Sequence, residues 1–128
     1  MRILVEIAAG ELIDKITILE IKLQNITDRD KLANVRHEYD VLMDVYRTTI
    51  VESEKLRGLV VELKEINAAI WRIEDDIRSR ERVGDFGEAF VALARSVYRT
   101  NDIRAAAKRE INKLLNSRIN EEKSYAEY

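Results

Sequence analysis

The sequence has no cysteine, no proline, one histidine and four glycines in 128 residues. Without cysteine there is no disulfide framework and no thiolate metal site, and His37 alone cannot build a His-rich one. Neither a metal nor a cofactor is expected. No apolar run is long enough to span a membrane. The apolar start Ile3-Leu4-Val5 is cut by Glu6 before it reaches the length of a signal peptide. A cytoplasmic home with no membrane partner follows as the expectation. The formal charge of −2 gives no overall attraction to nucleic acid, so any anion must be held by a local patch. No serine sits in a glycine-flanked elbow, no glycine-rich phosphate loop exists, and no second His or Cys can pair with His37 in nucleophilic catalysis.

What is present is charge and aliphatic bulk: 36% of the residues are charged and 46% apolar. That balance belongs to a compact domain, and the absence of linkers, repeats and low-complexity tracts makes residues 1–128 one domain. The charge is uneven. Residues 95–128 hold eight Lys and Arg against five Asp and Glu, whereas the first 94 hold fourteen against nineteen.

With no proline to forbid helix, the breaks must be located from caps and periodicity. Residues Arg2 to Ile7 alternate in the manner of a short strand-like arm, which needs a partner and could pair with its own copy in a dimer. Gly10 permits a turn, and a first helix is expected from about Glu11 to Ile26. Leu12, Ile16, Leu19, Leu23 and Ile26 form its stripe; Ile13, Ile18 and Ile21 lie off it, so this helix should be the most buried. Thr27 and Asp30 resemble a capping arrangement for a second helix with Leu32, Val35, Tyr39, Leu42 and Tyr46 inward. It frays at the β-branched run Thr48-Thr49-Ile50-Val51.

The third helix carries the clearest pattern. Leu56, Leu59, Leu63, Ile66, Ile70, Ile73 and Ile77 recur in alternating steps of three and four, a coiled-coil-type seam ending near Val83-Gly84. At about 30 residues it would be about 45 Å long, more than a compact bundle of this mass can cover, so part of the seam is expected to meet a second subunit. Asp85 and Glu88 suggest a cap for a fourth helix with Phe86, Phe90, Leu93 and Val97 inward. Asn101 suggests the N-cap of a fifth, with Ile103, Ala107, Ile111 and Leu114 inward, ended by Asn116-Ser117. The fold expected is therefore all-α: an antiparallel bundle of about five helices with a strand-like N-terminal arm, dimeric through the first or third helix.

Two charged constellations stand out. Glu74-Asp75-Asp76, with Glu11 and Asp14 on the first helix, has the composition of a magnesium site beside a nucleotide phosphate. The plainer alternative is the i,i+4 pairs Glu74–Arg78 and Asp76–Arg80, each worth about 0.2–0.5 kcal/mol. In the second constellation Arg95 and Arg99 share one face, Arg104 and Lys108 another, with Tyr98 and Asn101 between them. Guanidinium forks suit phosphate or carboxylate, so Arg95, Tyr98, Arg99, Asn101, Arg104 and Lys108 are the candidate ligand-binding residues. Their plainer role is internal pairing with Glu74, Asp75 and Asp76.

Several segments carry a resemblance: Gly10-Glu11-Leu12-Ile13-Asp14-Lys15-Ile16-Thr17-Ile18-Leu19-Glu20-Ile21-Lys22, Ile70-Trp71-Arg72-Ile73-Glu74-Asp75-Asp76-Ile77-Arg78, Ala94 to Arg104, Lys108-Arg109-Glu110-Ile111-Asn112 and Glu121-Glu122-Lys123-Ser124-Tyr125. Over nearly its whole length the chain resembles a family of uncharacterised bacterial domains of unknown function. The family often has Ser-Pro where this chain has Ala8-Ala9. Some members stand beside glycosyltransferase or tetratricopeptide modules, which implies a link with surface-polysaccharide metabolism but assigns no catalytic residue.

The expected function is a non-enzymatic interaction or scaffolding module, a homodimer that binds a protein partner or a small anion. Its rival is a magnesium-dependent nucleotide pyrophosphohydrolase using Glu11, Asp14, Glu74 and Asp75. A chorismate-mutase-like helical enzyme binding a dicarboxylate through Arg residues is a more distant alternative. Geometry separates the three: carboxylates converging from two helices, Arg residues from several helices around a closed pocket, or neither.

Overall fold

The computed structural model describes all 128 residues, and 16 of them are buried. Four helices follow one another: α1 (Ala9–Asn25), α2 (Arg29–Thr49), α3 (Glu54–Val83) and α4 (Glu88–Leu114). Helices α3 and α4 form a long antiparallel hairpin. Helix α1 packs against both, at the end made by the first half of α3 and the second half of α4, and α2 lies along the far side of α1. None of the helices is long and apolar enough to cross a membrane.

The all-α expectation holds, but two of its details do not. There are four helices because α4 runs unbroken through Asn101 to Leu114. An Asn cap is worth about 1 kcal/mol, and no Gly or Pro between Glu88 and Leu114 opposes a helix that is supported along its length by α3. The Asn101 side chain faces along the helix instead, its Oδ1 accepting from Arg104 Nη2 at 2.6 Å. Nor does the arm form a strand. Met1 to Ile7 are exposed and without secondary structure, and Glu6 is held only by the exposed Arg118.

The expected ends of α2 and the expected C-terminal end of α3 lie within a residue or two of those observed. Helix α2 is capped by Asp28, one residue after Thr27, through a 2.9 Å bond from Lys31 N–H. Ser53 caps α3, accepting from Leu56 N–H at 3.1 Å. Gly84 ends α3 at φ 70°, with Gly84 N–H donating to Glu81 O and Asp85 N–H to Arg80 O. Asn116, at φ 52°, closes α4 with the same pair of bonds, from Asn116 N–H to Lys113 O and from Ser117 N–H to Asn112 O. These are Schellman caps, and the second shows Asn taking the left-handed position usually given to Gly.

Helix α1 is the most buried, as its second apolar face requires. Eight of its residues are inaccessible, among them Leu12, Ile13, Ile16, Leu19 and Ile21. Ile13 joins Leu56 and Leu63 from α3 with Ala107 and Ile111 from α4 in the central cluster, and Tyr46 and Ile50 close it from the end of α2. Ala8 offers α1 no side-chain cap. The free N–H groups of the first turn are taken by α4 and the segment after it: Gly10 N–H donates to Asn112 Oδ1 at 2.7 Å and Ala9 N–H to Ser117 Oγ at 3.1 Å. Gly10 is therefore not a turn residue. It sits inside the helix because a Cβ there would stand 2.6 Å from Lys108 O and 2.9 Å from Asn112 Oδ1.

Candidate functional site

Where α1, α3 and α4 meet, the apolar core gives way to a polar cluster. Asp14, Thr17, Asn67 and Asn112 are each at least 95% buried. Asn67 Nδ2 donates to Asp14 Oδ1 at 2.8 Å and to Thr17 Oγ1 at 3.0 Å. Asn67 Oδ1 accepts from Arg104 Nη1 at 3.2 Å. Lys108 Nζ donates to Glu11 at 2.6 Å and to Glu121 at 3.4 Å, and lies 3.8 Å from the second oxygen of Asp14. Every buried side-chain N and O finds a partner. Such a network fixes which faces of three helices meet, since shifting one helix would strand a buried polar atom.

Burial opposes both charges of the Lys108–Glu11 pair, yet the pair prevails. For Lys108 desolvation lowers the pKa, but the hydrogen bond to Glu11 and the charges of Asp14, Glu11 and Glu121 raise it above the ordinary lysine value. For Glu11 burial raises the pKa, but the hydrogen bond and charge of Lys108, aided by Lys15, bring it below the ordinary carboxylate value. Both remain ionised at neutral pH.

Outside this cluster, α4 and the C-terminal segment bound an open groove of about 990 Å³. Tyr98, Asn101, Arg104 and Arg109 line its α4 side, and Lys123, Tyr125 and Tyr128 its other side. The segment is held there by two side chains. Glu121 reaches Lys108, and Tyr128 donates its hydroxyl to Asp102 at 2.7 Å while its ring meets Tyr98 edge-on at 5.0 Å between centroids. The Asp102 carboxylate raises the Tyr128 pKa, chiefly through that hydrogen bond. Arg109 and Lys123 have no carboxylate within 4 Å (the paired cations are Lys15, Arg47, Lys64, Arg78, Arg80, Lys108, Lys113 and Arg118).

The structure divides the six candidate residues. Tyr98, Asn101 and Arg104 line the groove; Arg95, Arg99 and Lys108 do not. Lys108 is committed to the interior pair. Arg95 and Arg99 are exposed, and neither forms an ion pair with Glu74, Asp75 or Asp76 or with any other carboxylate. The Glu74–Arg78 pair is formed, whereas Arg80 turns to Asp85 rather than Asp76. The carboxylates of the magnesium alternative do not converge: Glu11 and Asp14 face Lys108, Glu74 faces Arg78, and no three metal-ligating side chains stand together. The groove's arginines come from one helix and its mouth is open, unlike a closed pocket ringed by Arg residues from several helices.

Arg109, Lys123, Tyr125 and Tyr128 were not foreseen as site residues. Arg109 continues the face of Tyr98, Asp102 and Ala105 at helical spacing, a legible signal. The other three lie in an irregular segment with no periodicity to place them.

No curated protein and no solved structure matches the chain. The model of a family of unknown function, DUF6165, matches residues 3–128, and the chain belongs to that family.

Proposed function

We propose that the chain is a non-enzymatic binding module that takes a small anionic ligand, of the sugar-phosphate or acidic-sugar class, in the groove between α4 and the C-terminal segment. The observation that carries this reading is two unpaired cations, Arg109 and Lys123, on opposite walls of one groove with three tyrosine rings. Arg104 adds a third positive charge, itself oriented by Asn67 and Asn101. A planar guanidinium suits a phosphate or carboxylate, and a tyrosine offers an apolar ring face beside a hydroxyl, a combination that suits a sugar ring. The family resemblance, with its glycosyltransferase neighbours, favours the polysaccharide context. Two carboxylates, Asp102 and Glu127, also line the groove, and Asp102 is engaged by the Tyr128 hydroxyl.

Thermal melting of the full chain with inorganic phosphate, glucose 1-phosphate and uridine-diphosphate glucose tests it. At a hundred times its dissociation constant a ligand stabilises by about 2.7 kcal/mol. An upward shift with one of the sugar anions, abolished in Arg109→Ala/Lys123→Ala without loss of the unliganded midpoint, is expected. Equal shifts in parent and double variant, or none in either, would overturn the reading.

A further inference from the structure

The seam of α3 is covered over half its length only. Leu56 and Leu63 are fully buried and Asn67 is 4% exposed, all beneath α1. From Ala68 to Ala106, across the rest of α3, the turn and the first part of α4, no residue is buried. Yet the same repeat continues there. Ile70, Ile73 and Ile77 from α3 and Phe90, Leu93 and Val97 from α4 all stay half-buried, and Phe86 and Val91 are more than half exposed. Two helices alone can cover only one side of such a seam, because each apolar stripe spans more than the contact with one neighbour.

The surface area measures what is missing. A compact monomer of 14.9 kDa exposes about 7,000 Å². This chain exposes 9264 Å², about 2,200 Å² more than that scaling gives. The N-terminal arm, the C-terminal segment and the uncovered hairpin are the exposed regions that share this surplus. A stable interface of ordinary size removes about 600–1,000 Å² from each partner, which this surplus can supply.

We infer that the distal hairpin, residues 68–106, is a homodimer interface in which a second copy lays its own hairpin across the first, completing a four-helix bundle around Ile70, Ile73, Ile77, Phe90, Leu93 and Val97. A second copy fits because an isologous interface needs only one patch that complements itself: two helices offering a seam of the same repeat and length to their equals. Across a two-fold axis each α3 gains a third and fourth wall, the arrangement that coiled-coil-like seams make in four-helix bundles. The interface adjoins the groove between α4 and the C-terminal segment, whose lining includes Val97, but Ile73 and Ile77, on which the test rests, lie outside that lining.

Sedimentation equilibrium of the full chain at tens of micromolar should give twice 14.9 kDa, and Ile73→Glu/Ile77→Glu should give a helical monomer. A parent at monomer mass, or a helical double variant that stays dimeric, would overturn the inference. Single cysteines decide the matter if that variant does not fold, since the chain has no cysteine of its own. Oxidation should join copies of Ile73→Cys or Ile77→Cys and leave Val41→Cys, on α2, unjoined. Cross-linking at Val41 with none at any hairpin position would move the interface elsewhere and sink the proposal.

Discussion

One heptad repeat runs the length of α3, but its two halves meet different surroundings. The first half lies under α1 and contributes the fully buried Leu56 and Leu63; the second contributes Ile70, Ile73 and Ile77, none of them buried. Their periodicity is the same, and so is their side-chain chemistry. What differs is the cover: no residue of α3 beyond Asn67 is buried. Periodicity thus states that a face will be covered and leaves open by what. The interior end adds a second lesson, for there packing is specified by polar groups: Asp14, Thr17, Asn67 and Asn112 all lie under or against α1, and the distal half has no counterpart to them.

The contrast is broken most directly at Leu63. Leu63→Ala should cost about 2–5 kcal/mol, as truncations at fully enclosed sites do. Ile77→Ala, half-exposed in the single chain, should cost no more than about 1 kcal/mol at concentrations where the chain is monomeric. Urea denaturation of both variants over a hundredfold range of protein concentration makes the comparison. If the hairpin dimerises, the cost of Ile77→Ala should grow with concentration and that of Leu63→Ala should not.

Next in size is the polar interior. Asn67→Ala removes both donors that reach Asp14 and Thr17 and frees Arg104. Leaving a buried carboxylate oxygen without its donor should cost about 3 kcal/mol. Asn67→Leu fills the volume but leaves the same orphan, so it should recover little, which denaturant titration would reveal. Gly10→Ala tests the same helix meeting from the other side. Its methyl group would collide with the Lys108 carbonyl, and the expected loss is about 1–3 kcal/mol.

The pH dependence of stability should report the Lys108–Glu11 pair. Glu11 has a lowered folded-state pKa, so its contribution is present above the ordinary carboxylate value and is lost as pH falls through the folded one. Lys108 has a raised folded-state pKa, so its contribution is complete below the ordinary lysine value and fades as pH rises through the folded one. Stability should therefore show a plateau through neutral pH, and Lys108→Met should flatten the acid limb. An unchanged acid limb in that variant, followed by thermal melts between pH 3 and 7, would remove the pair from this role.

Much of this architecture is legible in the sequence, and the exceptions share a cause. Gly84 and the three-four spacing of the leucines and isoleucines place α3 because each acts within a few residues of itself. Helix α1 announces its burial by being apolar on two faces. Asn101 misleads because a cap signal is local and weak, whereas the continuity of α4 is decided by α3 beside it. Gly10 misleads for the same reason: its lack of a side chain answers to Lys108 and Asn112, about a hundred positions away in the chain. In the groove, Tyr98, Asn101 and Arg104 are found because they fall in a short stretch dense in polar residues. Lys123, Tyr125 and Tyr128 are not, because no repeat governs an irregular segment and only the fold brings it alongside α4.

The smallest expected effect lies in that segment. Tyr128→Phe keeps the edge-on packing against Tyr98 and removes the hydroxyl that donates to Asp102. The bond is exposed, so global stability should change by less than about 0.5 kcal/mol. Local opening is a different quantity and can shift without any change in the melt. Amide hydrogen exchange in residues 121–128 should quicken in Tyr128→Phe while exchange in α1 stays as it was. If the hydroxyl serves to hold Tyr125 and Lys123 over the groove, the variant should also bind the sugar anion more weakly, through the added cost of ordering a looser wall. Faster exchange with unaltered binding would assign Tyr128 to the segment's anchorage alone, and unaltered exchange would mean that Glu121 and the Tyr98 ring suffice to hold it.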